Sequence, residues 1–242
     1  MRFRFVSLDL NGIILQPARS VGEIYSIAAS KYRVEADPEV LDSNFRKSMK
    51  EMSYAYKNFG SGSIGWQSWW KKVVSQTFSA SLRPGELDKI PFEPFAQSML
   101  KLFESKQAWK LCDGAREILE SLKSNCVLVG AITNSDPRVD RILEDFGLRR
   151  NFLFVINSYD AATKKPDRAI FEMAEKYFEE QDKQFQKKDA VHIGDSVTKD
   201  YEGAKGAGWN ALIVSQKIES LPEEIRKWAF KDLFEVHQYL KT

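Results

Sequence analysis

Reactive side chains follow short apolar runs at four separate places in this 242-residue chain. These places are Asp9, Thr133 with Asn134, Lys165, and Asp195 with Asp200 five residues further on. A carboxylate can attack phosphorus as a nucleophile, carboxylate oxygens bind Mg²⁺, and a lysine can neutralise phosphoryl oxygens. The residue types therefore indicate phosphoryl chemistry, provided that the fold brings them together.

The residues around Asp9 predict how the first of these groups is positioned. The apolar run 5–8 ends in Asp9 and is soon followed by Gly12, a pattern typical of a buried strand that leads into a tight turn. Ligands of open α/β sheets bind at the carboxyl ends of the strands. We therefore expect Asp9 to lie at the reactive edge of a sheet.

The second half of the chain predicts the rest of that sheet. From about residue 109, short apolar runs alternate with helical segments, which is typical of a parallel sheet built from βαβ units. The further strands are predicted at 127–133, 152–156, 190–193 and 211–214. The helices are predicted at 114–123, 137–146, 167–180 and 199–207, with a final pair after Pro222. With the first strand, these elements predict an α/β core with a Rossmann-like sheet of five parallel strands.

Residues 20–106 carry a different pattern, without any run of strand type. Apolar residues at helical spacing predict four helices, at 21–32, 38–57, 66–78 and 91–103. The segment stands where the first crossover of the sheet should be, but it is much longer than a crossover requires. We therefore expect an α-helical cap at 17–107, inserted into a core of 1–16 and 108–242 and lying over Asp9.

Composition excludes several classes of partner. The 36 basic and 34 acidic residues give a net charge of +2 without a long block of one sign, which argues against nucleic acid and membrane surfaces. No run reaches the about 18 apolar residues of a membrane span, and the first strand begins too early for a targeting peptide. The chain is therefore expected to be a cytoplasmic protein.

The two cysteines, Cys112 and Cys126, fit a reducing compartment better than a disulfide framework. Together with two histidines they could ligate zinc, but no CxxC or HxxxH spacing is present, which argues against such a site. Cys126 stands at the mouth of an apolar strand, and free cysteine is commonly a small buried hydrophobe. We therefore expect it to be buried.

Taken in order along the chain, the four places resemble the motifs of the haloacid dehalogenase superfamily of hydrolases. The matching residues are Asp9–Gly12 (DLNG), 132–134 (ITN), 165–167 (KPD) and 192–208, which contains HIGDSVTKD. Any one of these motifs is weak, but all four in order are specific. Within the predicted cap, 67–78 and 22–25 are similar to one subgroup of that superfamily.

The resemblance implies a role for each matching residue. Asp9 would be the nucleophile, and Mg²⁺ would be held by Asp9, the backbone carbonyl of Asn11 and Asp195, with Asp200 as outer support. Lys165, Thr133 and Asn134 would bind the phosphoryl group, with Asp9, Lys165 and Thr133 as the catalytic set. The implied substrate is a small phosphorylated molecule, while nothing in the sequence indicates a protein partner.

Two residues depart from the pattern of phosphatases in this superfamily, in which the second residue after the nucleophile is an acid that protonates the leaving group. Here it is Asn11, whose amide cannot exchange a proton at neutral pH, and Ile13 replaces a usual threonine. Three hypotheses follow: a phosphatase of reduced activity, a non-catalytic binding protein, or a metal-independent hydrolase of the dehalogenase type. Asp195 and Asp200 argue against the last, because a metal site suits a phosphoryl group better than a carbon–halogen bond.

Other residues have a structural interpretation that competes with a functional one. Taken alone, Asp9, Lys165 and Asp195 would be a turn residue, a solvated lysine and a helix cap. His192 lies within an apolar strand, so we expect it to face the packed flank of the sheet rather than act as a base. The trio Trp66, Trp69 and Trp70 is expected to form the core of the cap.

Overall fold

The computed structural model describes residues 2–241, which form two compact units. The sheet unit comprises Met1–Gln16, Leu111–Asn134 and Phe146–Thr242, and the helical unit comprises Pro17–Lys110 and Ser135–Asp145. The sheet unit is thus interrupted twice, once by the long helical segment and once by a short one. The core and cap boundaries given above stay a prediction.

Eight strands occur in the described part of the chain. They are β1 (Phe5–Leu8), β2 (Leu15–Pro17), β3 (Trp109–Leu111), β4 (Leu128–Thr133), β5 (Val155–Asn157), β6 (Ala190–Gly194), β7 (Asn210–Val214) and β8 (Ala229–Phe230). Six of them form one parallel sheet in the order β5-β4-β1-β6-β7-β8, while β2 and β3 pair separately.

The strand order of the large sheet defines its reactive edge. Numbered in chain order, its strands read 3-2-1-4-5-6, the order of doubly wound Rossmann folds, so the Rossmann-like core is confirmed. The direction of winding reverses between β1 and β6, and ligands of such sheets bind at the carboxyl ends of the strands beside this point. Asp9 follows β1 and Asp195 follows β6.

Within residues 2–241, twelve α-helices accompany the strands. They are α1 (Val21–Ser30), α2 (Pro38–Ala55), α3 (Lys57–Gly60), α4 (Trp66–Ser81), α5 (Phe92–Leu102), α6 (Ala115–Ser124), α7 (Arg138–Asp145), α8 (Ser158–Ala161), α9 (Arg168–Gln181), α10 (Gly203–Gly206), α11 (Glu223–Arg226) and α12 (Leu233–Lys241). The four helices expected within 20–106 are therefore present, together with the short α3.

The core of the sheet unit explains why β1 is apolar on both faces. All four residues of β1 are buried, as expected of a parallel strand with helices on each side. Phe5 packs against Phe178 of α9 with ring centroids 5.2 Å apart, and the same cluster includes Phe171 and Trp209. This packing holds β1 rigidly in the sheet and so fixes the position of Asp9.

The helical unit has its own core and clear helix starts. Ser20 and Glu23 form a capping box at α1, and Asp37 caps α2 just before Pro38, which satisfies the first free amides of each helix. Tyr25 and Phe78 stack at 5.4 Å within a cluster of α1, α2, α4 and α5 side chains.

The three tryptophans of α4 have different surroundings. Trp69 is fully buried, as expected of a core residue, and its indole N–H is shared between the carbonyls of Met52 and Tyr56. The Arg138 guanidinium lies 5.3 Å from the ring of Trp66 and 4.6 Å from that of Trp70. Trp66 and Trp70 are only partly buried, and both rings make a cation–π contact with this guanidinium.

Two local expectations were wrong, the number of strands and the burial of Cys126. The large sheet has six strands rather than five, because the two-residue β8 between α11 and α12 is too short to show a period. The helix expected at 199–207 is present, with a π-helix, Val197–Glu202, that continues as α10. Cys126 is exposed instead of buried, because it adopts a positive φ of 56° in the turn before the apolar run starts.

Within residues 2–241, no helix has both the length and the apolar character needed to cross a bilayer.

Candidate functional site

Asp9 is held by the backbone of the sheet and by its own following residue. Its N–H donates to the carbonyl of Ile193 at 2.8 Å, which continues the β1–β6 pairing by one residue. The N–H of Leu10 donates to Asp9 Oδ1 at 2.8 Å. The carboxyl group is thus fixed at the carboxyl end of β1 by contacts that need no other side chain.

Asp195 is placed beside Asp9 by the close approach of two turns. Gly12 has a φ of 83°, and a Cβ at this position would lie 2.3 Å from Asp195 Oδ2. Gly194 likewise leaves room for Asp200, since its Cβ would lie 2.1 Å from Asp200 Cγ. Both glycines are therefore required by the packing of carboxylates against backbone.

Carboxylate oxygens of Asp9, Asp195 and Asp200 lie within 4.8 Å of one another. Desolvation of the Asp195 carboxyl, together with the negative charges of Asp9 and Asp200, raises its pKa to about 6. Mg²⁺ takes oxygen ligands in proteins, commonly one or two carboxylates together with waters. These residues therefore fit a divalent cation, with Asp195 as the exposed member of the group.

Lys165 is almost completely buried and connects two of these carboxylates. Its Nζ lies 3.1 Å from Asp9 Oδ1 and 2.6 Å from Asp200 Oδ1, and it donates to the carbonyl of Ile132 at 2.7 Å. A buried ammonium needs such partners, because charge without compensation is expensive in a low dielectric. Lys165 thus brings positive charge to the oxygen of Asp9.

Asn134 holds the backbone that carries this lysine. Its Nδ2 donates to the carbonyl of Lys165 at 2.9 Å, and its Oδ1 accepts from the N–H of Lys165 at 2.8 Å. The resemblance implied that Asn134 binds the phosphoryl group directly. In the structure, its amide is used in joining the end of β4 to the Lys165 loop.

Thr133 ends β4 and is completely buried. Among the side chains that the structure describes, its Oγ1 is one of the few buried atoms with no hydrogen-bond partner. A buried hydroxyl without a partner costs about 1–3 kcal/mol, so it points to a group that binds there. An acceptor such as a phosphoryl oxygen would satisfy it.

Asp200 belongs to the π-helix Val197–Glu202, and such helices are frequent at functional sites. Its Oδ2 accepts from the N–H of Ser196 at 2.9 Å, while its Oδ1 faces Lys165 and the Nε2 of His192. Burial and the charge of Lys165 hold the pKa of His192 below its usual value. Both effects favour the neutral form of the ring.

Asn11 and Ile13 are the two residues that depart from the motif of phosphatases in the superfamily. The Asn11 side chain is exposed, and its backbone bridges to Leu15 in the turn that follows Asp9. Ile13 is completely buried, so it packs the base of this turn where a threonine would offer a hydroxyl. Neither residue can supply or accept a proton at this place.

Sequence reasoning missed the polar contacts of Ser7 and His192. His192 does pack edge-on against Phe171, at 5.4 Å, but its Nδ1 also lies 2.7 Å from Ser7 Oγ. The two residues are aligned in the register of β1 and β6. Two polar residues within otherwise apolar, parallel runs are the signal that could have revealed this pair.

The large sheet is Rossmann-like, and three carboxylates and a buried lysine lie together at its switch point. The family model described as haloacid dehalogenase-like hydrolase matches residues 3–208. The chain therefore belongs to the haloacid dehalogenase-like hydrolases.

Known proteins are similar to the chain over nearly its whole length. The "Rhythmically expressed gene 2 protein" of Drosophila melanogaster is 30% identical, over 98% of this chain and 95% of its own. Human "Haloacid dehalogenase-like hydrolase domain-containing protein 3" is 29% identical, over 88% of this chain and 82% of its own, and represents the subgroup predicted from 67–78. The hydrolase YfnB of Bacillus subtilis, solved bound to magnesium, has a TM-score of 0.70 at 17% identity and full coverage of both chains. At that identity, the likeness to YfnB shows the fold alone.

Proposed function

We propose that the protein is a Mg²⁺-dependent phosphatase that hydrolyses small phosphate monoesters through an aspartyl-phosphate on Asp9. Its turnover depends strongly on the leaving group, because Asn11 cannot protonate it. The observation that carries the proposal is the contact of Lys165 Nζ with Asp9 Oδ1, at 3.1 Å, beside a group of three carboxylates. Positive charge at this oxygen favours attack on an anionic phosphoryl group.

The chain's own residues account for the first step. The carboxylate of Asp9 attacks phosphorus, so a P–O bond to Asp9 forms while the bond to the leaving oxygen breaks. Lys165 neutralises charge shared by the nucleophile and the phosphoryl oxygens, and Thr133 Oγ1 donates to one of those oxygens. Mg²⁺, held by Asp9, Asp195 and the carbonyl of Asn11, would neutralise the remaining phosphoryl charge when bound.

In the second step, water attacks the aspartyl-phosphate and releases phosphate, which restores the carboxylate of Asp9. A general acid and base at position 11 would assist both steps by about 10²- to 10⁴-fold. That factor corresponds to about 3–5 kcal/mol of activation free energy. Without it, the leaving oxygen takes its proton from water, so an aryl phosphate is hydrolysed far faster than an alkyl phosphate.

The experiment compares an aryl phosphate with an alkyl phosphate, with Mg²⁺ and with a chelator. We expect Mg²⁺-dependent turnover of the aryl ester that Asp9→Asn abolishes and the matched exposed variant Asp113→Asn retains. Asn11→Asp should raise kcat for the alkyl ester by about 10²- to 10⁴-fold and change the aryl ester much less. No turnover by either the natural chain or Asn11→Asp would overturn the proposal.

The exposed amide of Asn11 favours one other function, a binding protein that keeps the cation and phosphate site without turnover. Its distinguishing result is Mg²⁺ and phosphate binding in the natural chain with no hydrolysis of the aryl ester. Hydrolysis of haloacids without metal would instead support a dehalogenase, for which the carboxylates of Asp195 and Asp200 have no evident use.

A further inference from the structure

Ser7 and His192 form a buried polar pair in the middle of the sheet. They are directly aligned across β1 and β6, and both side chains are completely buried. Ser7 Oγ lies 2.7 Å from His192 Nδ1. Two polar groups at this depth are tolerated only when each hydrogen bond is made, so the pair has a defined proton arrangement.

The contact of His192 with Asp200 fixes which ring nitrogen carries the proton. His192 Nε2 lies 3.0 Å from Asp200 Oδ1, and an ionised carboxylate only accepts. Nε2 therefore carries the hydrogen and donates to Asp200, and Nδ1 accepts from the hydroxyl of Ser7. The opposite tautomer would set a nitrogen lone pair against the carboxylate oxygen.

Lys165 shares the same acceptor oxygen as His192. Its Nζ lies 2.6 Å from Asp200 Oδ1 and 3.5 Å from His192 Nε2, so both nitrogens point their hydrogens at Oδ1 and not at each other. The backbone N–H of Ser196 donates a hydrogen bond to Asp200 Oδ2. Both oxygens of Asp200 therefore accept hydrogen bonds, which fixes the orientation of its carboxylate. In this orientation Lys165 also contacts Asp9.

We propose that Ser7 and His192 are positioning residues: the Ser7 hydroxyl donates to Nδ1 and holds the imidazole in place, and the Nε2–H orients Asp200 so that Lys165 is placed against Asp9. Neither residue touches the reacting atoms. The role in turnover rests on the proposed function of Lys165, but the tautomer and the lysine position do not. They are properties of the resting protein and can be measured whether or not it is a phosphatase.

The tautomer is tested by NMR of the two imidazole nitrogens in ¹⁵N-histidine-labelled protein. The chain has two histidines, so His237→Gln leaves one, His192. We expect a neutral ring with hydrogen on Nε2 only. In Ser7→Ala the hydrogen should stay on Nε2, because Asp200 still accepts it, but the Nδ1 resonance should shift because its hydrogen bond is lost. The control Ser220→Ala, which removes a hydroxyl bonded to the carbonyl of Lys217, should leave the spectrum unchanged. A ring protonated on Nδ1 in the natural chain would overturn the proposal.

The positioning is tested by crystal structures of two variants at His192. Gln offers an N–H near the place of Nε2, whereas Leu offers none. We expect Lys165 Nζ to stay within hydrogen-bond distance of Asp9, up to about 3.2 Å, in His192→Gln. In His192→Leu it should move beyond about 4 Å, the limit of an ion pair.

In turnover of the aryl phosphate, His192→Leu should lose about 10- to 100-fold in kcat and His192→Gln should regain most of it, as for other outer partners of a site. An unchanged Lys165 in His192→Leu would overturn the proposal. Should His192→Leu not fold, Ser7→Ala replaces it in the same comparison, and an unchanged position of both His192 and Lys165 there has the same meaning. Absence of turnover in the natural chain contradicts only the phosphatase.

Discussion

Lys165 Nζ lies 2.6 Å from Asp200 Oδ1, and each side chain is only 1% exposed. Burial alone would raise the pKa of Asp200, but the hydrogen bond from His192 and the charge of Lys165 outweigh it and hold that pKa well below its usual value. Asp200 therefore stays ionised, and Lys165 is the cation that compensates it. The site carries more negative than positive charge before any cation binds.

Lys165→Met should destabilise the protein strongly. It removes the buried partner of Asp200, and breaking such a pair costs about 3–5 kcal/mol. Mg²⁺ should restore part of the loss, because a cation that binds only the folded state stabilises it. The free energy of unfolding in urea, with and without Mg²⁺, measures both effects. The neighbouring exposed Lys164→Met is the control, and a loss at Lys165 no larger than at Lys164 would contradict the account.

The pH dependence of stability should reveal Asp195. Its folded-state pKa of about 6 lies above the ordinary value of 3.8, so the protonated form favours folding. Its contribution is complete below the ordinary value and is lost as pH rises through about 6. In the absence of metal, the natural chain should therefore lose stability relative to Asp195→Asn across this interval. Urea unfolding at a series of pH values tests it, and parallel curves for the two proteins would count against the carboxylate cluster.

Thr133→Val should change stability and ligand binding in opposite directions. It removes a buried hydroxyl that has no partner among the described residues, so stability should rise by about 1 kcal/mol. Binding of a phosphate analogue in the presence of Mg²⁺ should weaken by about tenfold, the loss expected for one hydrogen bond to a charged group. Calorimetry and urea unfolding measure the two effects. Thr133→Ser keeps the hydroxyl and should bind normally; weaker folding together with unchanged binding of Thr133→Val would contradict the assignment.

The helical unit also contains a buried ion pair, between Asp136 and Arg138, which should stabilise the fold as the pair of Lys165 and Asp200 does. Asp136 Oδ2 accepts from Trp70 Nε1 at 2.7 Å and from Arg138 Nη2 at 2.8 Å. Burial raises the pKa of Asp136, but the hydrogen bonds and charge of Arg138 outweigh it and hold that pKa below its usual value. Asp136→Asn should therefore cost about 3–5 kcal/mol in urea unfolding.

Glu144→Gln on α7, the helix that follows Asp136, is the control for Asp136→Asn. It breaks an exposed ion pair with Arg141, of 3.6 Å, which is worth about 0–1 kcal/mol. Equal losses of stability in the two variants would show that the buried pair has no special weight.

The sequence predicted the parts of the fold that have a strong local pattern. The run Phe5–Leu8 is followed directly by a charged residue, Asp9. The helices near 21–32 and 66–78 have apolar residues at regular helical spacing, so each element could be placed without a structure. The convergence of Asp9 and Asp195 also followed from their positions at the ends of parallel strands.

The remaining features depend on contacts between residues far apart in the chain. The pairing of Ser7 with His192 requires the register of β1 and β6, and the use of Asn134 in holding Lys165 requires the path of a loop. The exposure of Cys126 follows from one positive φ angle. None of these has a periodic signal in the sequence.

A crystal structure of the natural chain with Mg²⁺ and beryllium fluoride would show whether Asp9 is the nucleophile, because this fluoride mimics a phosphoryl group bonded to a carboxylate. We expect beryllium bonded to Asp9 and a cation held by Asp9, Asp195 and the carbonyl of Asn11. Lys165 and Thr133 should be in hydrogen-bond contact with the fluorides. Asp9→Asn should bind the cation without forming the adduct. A cation bound by these residues with no beryllium at Asp9 in the natural chain would contradict the claim that Asp9 is the nucleophile.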